Sequence, residues 1–175
     1  MQIPYKIKIL FALALIVMPV ISLVDPVVNL ALTSIAAVIG VVILLEAVTT
    51  RGEERNDFRG KITHEALAIL DRMAWSAQYF DILYPVWSSK AEGLKAELLG
   101  NEDYKPWKGF YDSIEARNEF FRSKESFAWQ DLEKLNQACF DSFIKIHDEI
   151  SWVNQFIART DLDDLLSKAR KHGMI

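Results

Sequence analysis

The 175-residue sequence predicts an all-α protein: an N-terminal two-helix transmembrane hairpin followed by a cytosolic helical domain. Three observations lead there. Residues 9–48 carry two formally charged side chains, Asp25 and Glu46, whereas residues 51–175 hold 18 of the 20 Lys and Arg and 22 of the 24 Asp and Glu. From Arg51 onward apolar residues recur at steps of three and four, with no alternating strand pattern. Cys139 is the only cysteine, which excludes a disulfide-stapled secreted domain. The expected organisation is a hairpin over 1–50, with spans at about 7–24 and 27–48, a juxtamembrane linker over 51–61, and a cytosolic domain over 62–175.

Val27 to Leu45 is a run of 19 residues without a charge. At about 1.5 Å per residue it spans roughly 28 Å, close to a hydrocarbon core of about 30 Å. The first run, Ile9 to Val24, has 16 uncharged residues and is short by the same arithmetic unless Lys6 and Lys8 snorkel to the interface. Asp25-Pro26 alone separates the runs and forces a tight hairpin. Pro19 removes a backbone donor and predicts a kink in the first helix. A cleaved signal peptide is a poor fit, because Ser22-Leu23-Val24-Asp25 lacks a small-residue cleavage pattern. A buried core hairpin or a re-entrant hairpin is the remaining alternative. Lys6 and Lys8 before the first span, and Arg51, Arg55, Arg59 and Lys61 after the second, place both termini in the cytoplasm by the positive-inside rule. The expected location is therefore the inner (cell) membrane, multi-pass, with the lipid bilayer as one partner.

The stretch 51–57 alternates charge sign and reads as a linker or a continuing helix. Ala66, Ile69, Leu70, Met73, Ala77 and Phe80 form one apolar helix face. Tyr84-Pro85 breaks that element. A second helix is expected over about Val86–Leu99, capped by Gly100-Asn101. Asn101–Pro106 reads as a loop and Trp107–Lys124 as a helix. The longest helix is expected over about Glu125–Arg159, on a stripe that includes Leu132, Cys139, Phe143, Ile146, Ile150, Val153 and Ile157. Trp129, Phe140 and Trp152 widen it. Thr160-Asp161 caps a last helix, Leu162–Lys171, whose Lys168, Arg170 and Lys171 suit the C-terminal dipole.

Catalytic signatures are missing: no P-loop, no dinucleotide-binding glycine fingerprint, no paired-histidine zinc motif and no nucleophile-elbow serine. His64, His147 and His172 have no metal-ligand spacing, and Thr63-His64-Glu65 reads as helix-start chemistry. Neither an enzyme nor a cofactor is expected. The most unusual composition lies in 104–124, where five basic residues interleave with six aromatics in 21 positions. Cations that neutralise phosphate and rings that stack on bases make Lys105, Trp107, Lys108, Arg117, Asn118, Arg122 and Lys124 the candidate ligand-binding residues. The same aromatics also suit a core face with Arg and Lys on its wet side. A net charge of −4 argues against long DNA or RNA.

The layout over the whole chain resembles the small two-span membrane effectors of type III CRISPR systems. The hairpin Ile9–Leu45, the basic flank Arg51–Lys61 and the helical region Lys61–Ile175 carry that resemblance. It implies an antiviral-type effector, a homo-oligomer, a cyclic oligoadenylate bound by the cytosolic domain, and membrane perturbation as the output. The alternative function is a membrane-anchored helical scaffold or assembly protein that recruits a protein partner.

Overall fold

In the computed structural model the described residues are Ile9, Ala12, Leu13 and residues 26–75, 81–123 and 129–175. They form six α-helices and one 3-10 turn: α1 (Pro26–Trp75), α2 (Pro85–Ser88), α3 (Glu92–Leu99), α4 (Asn101–Ser123), α5 (Trp129–Glu149), the turn Val153–Gln155 and α6 (Arg159–Lys171). No strand occurs among the described residues, in keeping with the all-α expectation. The chain divides into two compact units, Met1–Asn56 and Asp57–Ile175.

The mixed-charge stretch 51–61 is helix, part of α1. Its charges sit at supportive spacings: Arg51 pairs with Glu54 at 3.0 Å and Asp57 with Lys61 at 2.7 Å, each within one turn. In the first unit, Gly40 and Ala47 are buried and Ala36, Ile43 and Leu44 half-buried. The large aliphatic side chains on the other side, Val38, Ile39, Val41, Val42, Leu45 and Val48, are 47–63% exposed. Among the described residues no helix is long and apolar enough to cross a membrane. The first expected span, 7–24, lies outside the described residues apart from Ile9, Ala12 and Leu13, as does Asp25.

The second unit has an ordinary interior. Phe58, Ile62, Ala66, Ile69, Leu70 and Met73 from α1 meet Trp107, Phe110, Tyr111 and Ile114 from α4. Cys139, Phe140, Phe143 and Ile146 from α5 join the same core, and α6 closes it with Leu162, Leu165, Leu166 and Ala169. Ala77 and Phe80, expected on the α1 face, lie outside the described residues. Trp129, expected to widen the core stripe, is exposed instead.

Four boundaries differ from expectation: the last helix starts at Arg159 behind Ala158 rather than at Leu162 behind a Thr160-Asp161 cap, and the other three differ for local reasons. The helix expected over Val86–Leu99 is two pieces, because Ser88 and Ser89 hydroxyls bond back to the carbonyls of Tyr84, Pro85 and Val86 and end α2. Asn101–Pro106, expected as a loop, is the start of α4, with Pro106 inside the helix. Gly100, at φ 92°, terminates α3, and its carbonyl accepts the Tyr104 N–H at 2.9 Å. Pro106 therefore lies just past the first turn and removes a single ladder bond, that to the Glu102 carbonyl. Glu102 and Asp103 in that first turn favour the helix dipole. The long helix ends at Glu149 rather than Arg159. A 3-10 turn over Val153–Gln155 redirects the chain while Trp152, Val153 and Ile157 stay in the core. A Cβ on Gly60 of α1 would come within 3.1 Å of the Phe156 ring, so a larger residue there requires the ring to give by a few tenths of an ångström.

Candidate functional site

Of the seven residues singled out in 104–124, the structure turns three inward. Trp107 is fully buried and stacks on Trp152, with ring centroids 5.9 Å apart. Asn118 clamps the backbone of Ile82: its Oδ1 accepts the Ile82 N–H at 2.9 Å and its Nδ2 donates to the Ile82 carbonyl at 3.0 Å. Arg117 is 1% exposed, donates from Nε to Asn136 Oδ1 at 2.9 Å and lies over the Phe121 ring. Burial lowers its pKa, and its Nη1 has no hydrogen-bond partner. Three others face solvent. Lys105 is exposed; Lys108 pairs with Asp112 at 2.6 Å; Arg122 bridges Asp81 at 2.9 Å and Glu115 at 2.8 Å. Lys124 lies outside the described residues. Helical geometry explains the split, since residues 107, 110, 111, 114, 117 and 118 share one face of α4. The six described residues do not converge on one cleft.

What the fold does bring together surrounds Glu65 of α1. Its carboxylate accepts the backbone N–H of Val86 at 2.6 Å and of Trp87 at 3.1 Å, and the Tyr111 hydroxyl at 2.9 Å. Two of those donors are orphan groups at the start of α2, which Pro85 opens. Burial, with the Glu65 charge beside it, pushes the Tyr111 phenol well above its ordinary pKa. The neighbouring segment is tied down from the other side. Tyr84 donates to Glu115, and Arg122 holds Glu115 and Asp81. Burial and the Glu115 contact raise the Tyr84 pKa to about 12, while the Tyr84 hydrogen bond lowers that of Glu115.

Residues 81–86 are therefore fixed by Glu65, Glu115, Asn118 and Arg122, and Leu83 is the side chain left out. It is 72% exposed. Between this segment and the outer face of α1 runs a groove of about 550 Å³. Ala68, Ile69, Leu83 and Val86 supply apolar lining, and Lys61, His64 and Arg72 of α1 contribute positive or protonatable groups. Among the described residues Glu65 is the one acid lining it, and its carboxylate is engaged by the three donors described above.

A second polar cluster is built around stacked rings. Trp87 stacks on Tyr111 at 4.5 Å, and the Lys95 ammonium sits 4.4 Å from the Trp87 ring centroid. Arg59 covers the Trp152 ring at 4.6 Å and donates to the Leu99 carbonyl, while Trp152 Nε1 donates to Asp103 at 2.7 Å. These cations act as supports for the core. No group of three His, Cys, Asp or Glu side chains arranged to hold a metal ion occurs among the described residues.

Sequence reasoning placed the ligand in 104–124 and missed the groove, because Glu65 acts on residues 21, 22 and 46 positions away. One signal was available. A proline-opened helix at Pro85 leaves N–H groups that need an acceptor, and Leu83 breaks the inward pattern of Ile82 and Tyr84.

Taken together, the fold and the groove define an all-α chain of two units, one with an aliphatic outer face and one with a basic-lipped cleft. In comparison with known proteins, the chain matches no family model, no curated protein and no solved structure.

Proposed function

We propose that this chain is a membrane-anchored helical scaffold that recruits a protein partner through its second unit. The observation that supports it is the outer face of α1 in the first unit, where six large aliphatic side chains are 47–63% exposed. Fully burying one such side chain is worth about 1.5–3 kcal/mol, so leaving six half-exposed in water forfeits several kcal/mol that a hydrocarbon phase would supply. Patches of this extent mark membrane or protein contact. The small residues Ala36, Gly40 and Ala47 on the inner side suit close helix packing of the kind membrane helices use. In this reading the hairpin anchors the chain in the inner membrane with both termini cytoplasmic, and the second unit works as a non-catalytic adaptor.

The test is alkaline carbonate extraction of membranes from expressing cells. The chain is expected to stay in the pellet, and a Val38→Lys, Val42→Lys double variant to shift to the supernatant. A wild-type chain released by carbonate overturns the anchor.

A second reading, the cyclic oligoadenylate effector, is favoured by one observation: Lys105 is exposed and makes no ion pair among the described residues. With Lys108 and Arg122 it offers exposed cations on α4 to a phosphate-bearing ligand held between subunits of a homo-oligomer. Its test is a thermal shift of the full chain with cyclic tetra-adenylate. Stabilisation that Lys105→Ala abolishes supports the effector, and no shift removes it.

A further inference from the structure

We infer that the groove beside α1 is the docking site, and that its occupant is an acidic amphipathic helix of a partner protein. This deepens the scaffold reading and rests on it. The first argument is shape. Lys61 and Arg72 stand 11 residues apart on α1, about 16 Å along the helix axis or three turns. Lys61, His64, Ala68 and Arg72 follow one another at steps of three and four, so they lie on one face of that helix. Ala68 in the middle leaves room for a close approach, and Leu83 and Val86 form the opposite wall. A second helix laid along such a cleft meets apolar anchors at helical spacing.

Charge is the second argument. Lys61 and His64 mark one end of the lip and Arg72 the other. Glu65, the one acid among the described lining residues, is held by three donors. Arg72 makes no ion pair or hydrogen bond among the described residues. The Asp57 partner of Lys61 is itself exposed, so that pair is easily exchanged. A carboxylate at either end of a three-turn helix complements this arrangement, and a basic helix is repelled.

The third argument is rigidity. Leu83 is 72% exposed although its neighbours Ile82 and Tyr84 are pinned, Ile82 by two bonds from Asn118 and Tyr84 by Glu115. An exposed leucine on a pre-organised wall loses little conformational entropy when covered. Nucleotides fit less well, because among the described residues His64 is the one aromatic ring that lines the groove. A bilayer is flat where this surface is concave.

The experiment uses the full chain in detergent and two labelled helical peptides of about three turns. Both have leucines on one face; one carries glutamates at its ends and the other lysines. Anisotropy is expected to show the glutamate peptide binding, the lysine peptide not, and affinity falling with salt. Leu83→Asp and an Arg72→Glu, Lys61→Glu double variant are each expected to weaken binding at least about tenfold. Both sites are on the surface, and unchanged circular dichroism checks that the fold is intact. Equal binding of the two peptides, or none, overturns the inference. So does preferential binding to phosphatidylserine vesicles lost on Arg72→Glu, which points to lipid. Self-association abolished by Leu83→Asp also overturns it, assigning the groove to a second copy. Carbonate extraction does not depend on Leu83 or Arg72, so a failed anchor and a failed groove remain distinguishable.

Discussion

The two ends of α1 expose opposite kinds of side chain. Around residues 36–48, Gly40 and Ala47 are buried while Val38, Val42 and Leu45 are exposed. Around 57–75, Phe58, Ile62, Leu70 and Met73 are buried, with Lys61, His64 and Arg72 outside. One helix thus carries two polarities, each of which lowers free energy in a different surrounding phase. In the second unit, stability resides in what is inside. In the described part of the first, large aliphatic side chains lie on the outside, where burial would stabilise them.

The sharpest way to break that contrast is to delete apolar volume from each side. Trp107 is fully buried and touches Phe110, Tyr111, Phe143 and Trp152. Trp107→Ala is expected to destabilise the second unit by about 3–5 kcal/mol, through lost burial and the cavity left behind. Val42→Ala in the first unit is expected to change unfolding of the detergent-solubilised chain by about 0.5 kcal/mol or less. Denaturant titration followed by far-ultraviolet circular dichroism, which reads the helices of both units, measures both. Similar losses at the two positions contradict the contrast.

Next in size is a polar contact. Asn118 satisfies both backbone groups of Ile82, 36 residues earlier in the chain. Asn118→Ala leaves a buried N–H and a buried carbonyl unpaired and is expected to cost about 2 kcal/mol. Asn118→Asp keeps the acceptor, loses the donor, and should recover part of the loss. An alanine variant as stable as the wild type shows that water replaces the clamp.

How much of this was legible follows from the range of each contact. Periodicity at three- and four-residue steps located the buried faces of α1, α4 and α5, because those faces are set by local geometry. The same periodicity hid the end of α5: Ile150, Val153 and Ile157 keep core spacing across the 3-10 turn, where the axis changes but the facing does not. Pro106 and the Ser88-Ser89 pair misled in opposite directions, since one proline near a helix start removes a single bond whereas two hydroxyls compete for three carbonyls. For the site, residue types in 104–124 were informative and their roles were not. The interleaving of Trp107 with Lys108, or of Asn118 with Arg122, is what a helix shows when one side packs and the other is wet. The groove depends on Glu65 reaching Val86 and Tyr111, which no local pattern encodes.

The pH dependence tests how the second unit holds its groove wall. Tyr84 has its pKa raised from 10.0 to about 12, so the folded state favours the protonated phenol. Its contribution is complete below the unfolded value and is lost as pH rises from about 10 towards about 12. Cys139 adds to the same limb, since burial raises its pKa from 9.0 to about 11. Glu115 has the opposite sign. Its pKa is lowered from 4.5, so its contribution is present above that value and is lost as pH falls through the lowered one. Tyr84→Phe removes the ionisable phenol and the largest cause of the Glu115 shift. It is therefore expected to flatten both the alkaline and the acid limbs of stability against pH. Urea midpoints measured across the range decide the matter, and an unchanged profile contradicts the coupling of Tyr84 to Glu115.

The smallest expected effect concerns charges on the wet side of α4. Lys108 and Asp112 are both largely exposed, 2.6 Å apart and one turn from each other, and the hydrogen bond to Asp112 raises the Lys108 pKa. An exposed pair at this spacing gains little, because water screens the attraction and two long side chains lose freedom to keep it. Lys108→Ala is expected to leave stability almost unchanged, and the more so at high salt. Arg117, nine residues on, is the informative partner for the measurement: it is buried, and no carboxylate pairs with it within 4 Å among the described residues. Arg117→Met keeps the stem packed on Phe121 and removes a buried charge, but it leaves the buried Asn136 Oδ1 without its donor, so it is expected to cost about 1 kcal/mol or more. If Lys108→Ala instead proves the costlier of the two, the exposed charges of α4 hold the fold more tightly than its buried one. The division between an inert wet face and a structural inner face then fails on the helix where it is most clearly drawn.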